Sequence, residues 1–341
     1  MSFSSLGFIL LPVRWASAGS VAKLLLSSVL ICLCIYKFIL SDPYLYTLHI
    51  KDFTSKPFLQ LLIHFNATLN YQVTYLFTLA YYLAYMPAIL QLLDSPLFAL
   101  TFKRFSAPRS RAVAVVLLFK TFYLITYFDV LWEYYTTTSS LQFAFSWLTL
   151  YVHYLIISLP LAVGHYIQLG TWQAVKSIAG EESGGYRIKT MSGLLQRVKA
   201  VAKLNSTLQR LNSPPLLLYL VSNTIDELSI ICRLSLSRSA LTSPSLFFFV
   251  GMFGYQLYLA YLSAQTATAL KQTAVQLYCS SQKHQSKPTK TQSDLQHLLT
   301  FERQLSVTIF SFIRYSYAFV FGLALFLLQY SVFLLQTKQE S

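Results

Sequence analysis

Apolar and polar residues alternate along this chain in long blocks rather than at the short periods of a soluble helix or strand. Seven apolar stretches, separated by polar segments, cover residues 21–40, 71–93, 112–132, 143–169, 215–234, 246–270 and 309–336. Because a helix rises about 1.5 Å per residue, about 20 apolar residues cross a hydrocarbon core of roughly 30 Å. The pattern therefore predicts an all-α membrane protein with seven transmembrane helices.

The polar segments divide the chain into six predicted parts. These are a leader (1–20), helices one to four (21–169), a long loop (170–212), helices five and six (213–270), a second polar segment with a short helix (271–308), and the last helix with the C-terminus (309–341). The leader's first basic residue, Arg14, follows its apolar run, so we expect an uncleaved leader rather than a signal peptide. In the long loop, an amphipathic helix is predicted from apolar residues at helical spacing: Leu194, Leu195, Val198, Val201, Leu204 and Leu208.

Composition agrees with a membrane protein, since 55% of the residues are hydrophobic and only 11% are charged. The net charge is +14, but basic residues that flank apolar spans are typical of cytosolic loops, so we expect no nucleic-acid partner.

The orientation in the membrane follows from the same basic residues. A cytosolic N-terminus places eighteen of the 26 Lys and Arg residues inside and six outside. The chain is thus predicted to end outside the cell, an orientation opposite to that of G-protein-coupled receptors.

Two glycosylation sequons begin at Asn66 and Asn205. In this orientation Asn66 lies outside and Asn205 lies in the cytosolic loop. We therefore expect a glycan on Asn66 alone.

Adjacent carboxylates, Asp226 and Glu227, lie about 11 residues into the fifth predicted span. Such residues are expensive in lipid and face either a ligand pocket, an ion path or the lipid interface. Neighbouring side chains on a helix point about 100° apart, so the two cannot face one ligand together. Four aromatic residues are candidates for the same pocket or for interfacial anchoring, namely Tyr81, Trp132, Tyr255 and Tyr258.

Enzyme motifs are not found in the sequence. It contains no phosphate-binding glycine pattern and no recognisable catalytic triad. His153 and His165 have no partner at metal-ligand spacing, and no metal or cofactor is expected.

From Leu298 onward the sequence resembles the end of an insect gustatory receptor, within the insect chemoreceptor superfamily. Residues 298–305 resemble the short cytosolic helix that precedes the last span of that family. Tyr330 precedes Gln336 by six residues, which is the spacing of the family's terminal Thr-Tyr-five-hydrophobics-Gln-Phe signature. The sequence departs from that signature at Gln329, Ser331 and Thr337.

The resemblance implies a tetrameric ligand-gated cation channel of the plasma membrane, with related subunits and a small-molecule ligand. In that family the last helix lines a shared pore, and the other helices surround a ligand pocket open to the outside. Tyr330 would then be a packing residue of the pore helix and Gln336 a polar constriction, with Phe333 and Thr337 beside them at the gate. A helix over residues 309–336 would place Arg314 at the inner membrane interface.

Two other interpretations remain open. The departures from the terminal signature are also compatible with a gustatory-receptor-like protein that keeps the fold but has a non-chemosensory or non-conducting role. A secondary transporter would require inverted repeats with broken helices, and the sequence shows no such pair. The identity of the ligand does not follow from the sequence.

Overall fold

The computed structural model describes residues 69–93, 140–179, 191–236, 244–282, 288–310 and 313–339, together with the isolated positions 25, 28, 29 and 32. Helices dominate these residues. They are α1 (Tyr71–Leu93), α2 (Ser140–Ala179), α3 (Met191–Leu236), α4 (Pro244–Gln282), α5 (Pro288–Thr300) and α6 (Tyr317–Gln339). Between α5 and α6 lies a short antiparallel hairpin of β1 (Thr308–Ile309) and β2 (Ile313–Arg314).

Buried hydrogen bonds show how α1 and α2 lie against α3. The Asn70 side chain donates to the Ser222 carbonyl at 3.1 Å, and twelve residues later the Tyr82 hydroxyl bonds to the side chain of Asn212. Because the contacts run forward on α1 and backward on α3, these two helices are antiparallel. Asn212 also donates to the carbonyl of Pro160 at 2.8 Å, which ties α2 to the same level of α3.

Gly164 allows α2 and α3 to approach closely beside that bond. A β-carbon at this position would lie 3.4 Å from the Asn212 side-chain nitrogen, tighter than most side chains tolerate. A larger residue would therefore displace the amide that joins α1, α2 and α3.

The fifth predicted span is part of a longer helix, since α3 runs without a break for 46 residues. We predicted an amphipathic helix within 170–212 and a separate span from Pro215, but α3 continues through Pro214 and Pro215. Proline has no N–H, so Pro215 leaves the Leu211 carbonyl without its helical donor. The Tyr81 hydroxyl supplies that donor at 2.7 Å, so a neighbouring helix compensates for the proline.

Two apolar clusters lie along the bundle of α2, α3 and α4. One contains the predicted apolar stripe, with Leu194, Val198 and Val201 buried against α2, α4 and α5. The other, toward the opposite end of α3, contains Leu216 and Tyr219 packed with α1, α4 and the residues around the hairpin. A layer of buried polar side chains separates the two clusters.

The last helix begins later than predicted. We expected a helix from Ile309, whereas α6 starts at Tyr317 and the preceding residues form turns and the hairpin. Arg314 consequently lies on β2 rather than within the last helix, and it forms an ion pair there. Its position at the inner membrane interface stays a prediction. The hairpin includes Phe310 at φ 50°, a left-handed conformation that an α-helix cannot accommodate.

Predicted span 71–93 coincides with α1, whereas the fourth and sixth spans are the beginnings of the longer helices α2 and α4. The third predicted span lies outside the described residues, and of the first span only the isolated positions 25, 28, 29 and 32 are described. Of the helices that the structure describes, none meets both the length and the apolar character needed to cross a membrane.

Candidate functional site

Three tyrosines and one glutamate form a buried group that we call the tyrosine–glutamate cluster. Tyr219 and Glu227 lie on α3, Tyr255 lies on α4, and Tyr315 follows β2. All four are buried, with Glu227 only 1% and Tyr315 0% exposed. The three tyrosines pack in one apolar cluster. Tyr219 interacts electrostatically with Tyr315 and Glu227, and Tyr255 interacts in the same way with Tyr219 and Tyr315. The cluster thus joins α3, α4 and the segment that precedes α6.

Glu227 uses only half of its hydrogen-bonding capacity. Its Oε1 accepts a 2.7 Å bond from the Asn223 side chain, one turn earlier on α3. Among the described residues, its Oε2 has no hydrogen-bond partner, and neither does the hydroxyl of Tyr315. No basic side chain among the described residues interacts with Glu227. A buried carboxylate that lacks a counter-charge destabilises a folded protein. A cation bound to Glu227 would therefore stabilise this arrangement.

Asp226 is also buried, at 7% exposure, and interacts electrostatically with Tyr219 and Glu227. Both carboxylates therefore lie inside the protein. Because Asp226 and Glu227 are adjacent on α3, their side chains point about 100° apart around the helix axis, as predicted.

The other predicted pocket residues have different surroundings. Tyr255 shares a 2.5 Å hydrogen bond with Nδ1 of His165, whose ring is also 5.3 Å from that of Tyr258. Tyr258 is 41% exposed, and Tyr81 is bound to the α3 backbone rather than to the cluster. Trp132 lies outside the described residues.

Sequence reasoning did not place Tyr219, Tyr315 or His165 in the candidate site, although His165 was considered as a metal ligand. A signal for Tyr219 was present, because Tyr219, Asn223 and Glu227 are spaced by four residues and lie along one side of a helix. Tyr315 could not be found in this way, since its position depends on the hairpin.

Beside the cluster, the residues between α5 and α6 form what we call the linker loop, residues 301–316. Polar side chains from three helices bind its backbone. Gln168 of α2 donates to the Leu305 carbonyl at 3.2 Å, and Asn205 of α3 donates to the Gln304 carbonyl at 2.6 Å. Ser213 of α3 accepts from the Phe310 N–H at 2.9 Å, and Ser263 of α4 lies 3.5 Å from the Val307 nitrogen.

An ion-pair triad fixes the two ends of the linker loop. Glu302 lies 2.9 Å from Lys271 of α4 and 3.1 Å from Arg314 of β2. Partial burial raises the pKa of the Glu302 carboxyl, but hydrogen bonds and attraction from the two cations outweigh it and hold the pKa below its ordinary value. Tyr315 follows Arg314 directly, so the loop connects the cluster to the start of α6.

The predicted pore residues lie on α6, which presents large apolar side chains to the outside of the single chain. Phe333 is 56% exposed, and Gln336 is also exposed. Tyr330 is half-buried between the rings of Phe326 and Phe333, whose centroids lie 6.1 and 6.2 Å from its own. The side chain of Thr337 lies outside the described residues.

The two sequons have different positions. Asn66 lies outside the described residues, whereas Asn205 is only 2% exposed and its amide binds the linker loop. Within the part of the chain that the structure describes, no three His, Cys, Asp or Glu side chains lie together as a metal site.

The fold was compared with known proteins. No protein-family model matches the sequence, and no curated protein matches it. Among solved structures, the insect olfactory receptor OR5 from Machilis hrabei superposes with a TM-score of 0.61 at 12% identity, over 94% of this chain and 90% of that receptor. The two proteins share a fold. The shared fold does not single out gustatory receptors.

Proposed function

We propose that the protein is a chemoreceptor-like, ligand-gated cation channel of the plasma membrane. The observation that carries the proposal is the fold shared with an olfactory receptor over nearly the whole of both chains. The terminal Tyr330 and Gln336 resemblance supports it from the sequence. Seven spans with a cytosolic N-terminus are part of the same proposal.

The exposed face of α6 supports assembly into a tetramer. Apolar residues as large as Phe321, Leu325 and Leu328 are more than half exposed on this helix. A pore helix needs one side toward the channel axis and others toward neighbouring subunits or lipid, which matches such exposure. We propose that four copies of α6 surround a pore and that Gln336 lies at its narrow outer end.

The linker loop is the proposed connection between ligand and gate. Tyr315 belongs to the cluster and lies two residues before Tyr317, the first residue of α6. A ligand that displaces Tyr315 would therefore act on the base of the pore helix.

Reconstitution of the full chain in planar bilayers tests the proposal. We expect cation current from wild-type protein, lower current from Gln336→Arg because four added charges repel cations, and a greater preference for divalent ions from Gln336→Glu. Exposed Gln329 lies on the same face of α6 two helical turns before Gln336, so Gln329→Arg should also lower the current, but by less because it lies away from the narrow end. A folded tetramer without current would instead favour the non-conducting alternative, and a monomer would contradict the pore assignment.

A further inference from the structure

The ligand chemistry follows from the charge of the tyrosine–glutamate cluster. We propose that the cluster binds a small organic cation with an ammonium group, a proposal that rests on the receptor function above. Glu227 Oε2 is the counter-charge, and the rings of Tyr219, Tyr255 and Tyr315 surround the cation.

Charge balance is the first argument. Glu227 is 1% exposed, its Oε2 has no partner, and within the described part of the chain no basic side chain interacts with it. Glu302, which is partly buried, instead has two cationic partners, Lys271 and Arg314. An ammonium ligand would give Glu227 the charge-assisted bond that Glu302 already has, whereas a neutral alcohol would leave the carboxylate without a counter-charge.

The aromatic rings are the second argument. The negative face of a tyrosine ring attracts a cation, most strongly where water is excluded, and combined aromatic and carboxylate groups suit ammonium ions. Tyr219 and Tyr255 are buried, and Tyr315 is 0% exposed with its hydroxyl unpartnered. Tyr219 and Tyr315 lie near the carboxylate and Tyr255 lies near both of these tyrosines, an arrangement that matches an organic cation.

A bare metal ion fits less well. Ca²⁺ takes about six to eight oxygen ligands, and Mg²⁺ requires a nearly ideal octahedron. The cluster offers two unpartnered oxygens, Glu227 Oε2 and the Tyr315 hydroxyl. An ammonium group needs only one strong acceptor together with the aromatic faces.

Thermal unfolding of the purified full chain in detergent tests the inference without requiring conduction. The probes are n-butylammonium and tetramethylammonium, with n-butanol as the neutral isostere, all at equal concentration and ionic strength. A ligand that binds only the folded state raises the unfolding temperature, and we expect a rise of about 2 °C or more with the ammonium probes and none with n-butanol.

Three substitutions test whether the ammonium probes bind at the tyrosine–glutamate cluster. Glu227→Gln keeps an oxygen for Asn223 but removes the charge, so the ammonium shift should disappear. Glu302→Gln is the matched control and should keep the shift. Tyr315→Leu removes one ring and should reduce the shift by at least half, which also tests the cluster if Glu227→Gln fails to fold.

Equal shifts with n-butanol, or an ammonium shift that persists in Glu227→Gln, would overturn the inference. The inference and the channel function can be tested separately. A rise in unfolding temperature with the ammonium probes but no current in bilayers would support this binding site and contradict the channel function. Current without such a rise would contradict only this inference.

Discussion

Polar side chains are buried in two neighbouring regions of this protein, and the two regions treat them differently. Around the linker loop, the amide of Asn205 uses both ends, accepting from Thr171 at 2.8 Å and donating to Gln304 at 2.6 Å. In the tyrosine–glutamate cluster, Glu227 Oε2 and the Tyr315 hydroxyl have no partner. The first region is a structural joint between helices and loop, and the second is the region that we propose binds a ligand.

The difference between the two regions shows that the role of a buried polar group depends on whether it is hydrogen-bonded. A paired buried group favours the one conformation in which its partner is present, whereas an unpaired one costs the folded chain about 1–3 kcal/mol. Pairing therefore predicts that a substitution will lower stability. Lack of pairing predicts that a substitution will change ligand binding with little loss of stability, and this contrast can be tested in each region.

Breaking the linker-loop joint should have the largest effect. Asn205→Leu removes the side-chain donor of the buried Gln304 carbonyl and one of the two acceptors of the Thr171 hydroxyl, which keeps its bond to the Ile167 carbonyl. We expect a loss of about 3 kcal/mol, or roughly 5 °C or more in the unfolding temperature of the full chain in detergent. Thr207→Ala is the control, because it removes the same sequon at an exposed position. Wild-type stability of Asn205→Leu would contradict the role of this joint.

A pair of hydroxyl deletions compares the regions directly. Tyr81→Phe removes the donor for the Leu211 carbonyl, so it should lower stability by about 1 kcal/mol. Tyr315→Phe removes an unpartnered hydroxyl and should leave stability unchanged or raise it. Both are measured by thermal unfolding, with the exposed Tyr85→Phe as control. A larger loss at Tyr315 than at Tyr81 would reverse the comparison.

Some of this architecture was predictable because it depends on local pattern. A mostly apolar run between Asn70 and Asp94 sets the limits of α1. The stripe through Leu194, Val198 and Val201 is buried because its spacing matches one face of a helix. The burial of Glu227 was likewise among the alternatives raised by its place in an apolar stretch.

The start of the last helix was not predictable on this basis. Residues Thr308, Ile309 and Ile313 continue the apolar run, and a short apolar run does not distinguish a strand from a helix. The hairpin depends instead on a distant helix, since Ser213 of α3 binds its backbone at Thr308 and Phe310, while Asn205 binds the residues just before it. The cluster escaped prediction for the same reason, because Tyr315 reaches it only through the hairpin.

The burial of Asn205 also limits the use of the second sequon as a marker of which side of the membrane its segment faces. We expected Asn205 to be unglycosylated because its loop is cytosolic. Since its amide is buried and bonded, the folded protein would exclude a glycan there on either side of a membrane. Only Asn66 can then serve as a marker of sidedness.

The smallest expected effect concerns the partly exposed ion pairs of Glu302. Its folded-state pKa is lower than the ordinary value of 4.5, so its pairs with Lys271 and Arg314 stabilise the protein fully above that value. That stabilisation is lost as the pH falls through the folded-state pKa. Because the groups are partly exposed, we expect less than about 1 kcal/mol.

Unfolding temperatures of the wild type and Glu302→Gln should therefore differ by a degree or so at pH 7 and converge toward pH 3. Raising the ionic strength to about 1 M should also reduce the difference, since salt screens charges that solvent reaches. Lys271→Met is a second variant that removes one partner and should show the same convergence. A difference that persists unchanged at pH 3 would mean that Glu302 stabilises the linker loop by packing rather than by charge. The loop would then be held by its backbone hydrogen bonds alone, and the contrast with Glu227 would concern hydrogen bonding instead of charge.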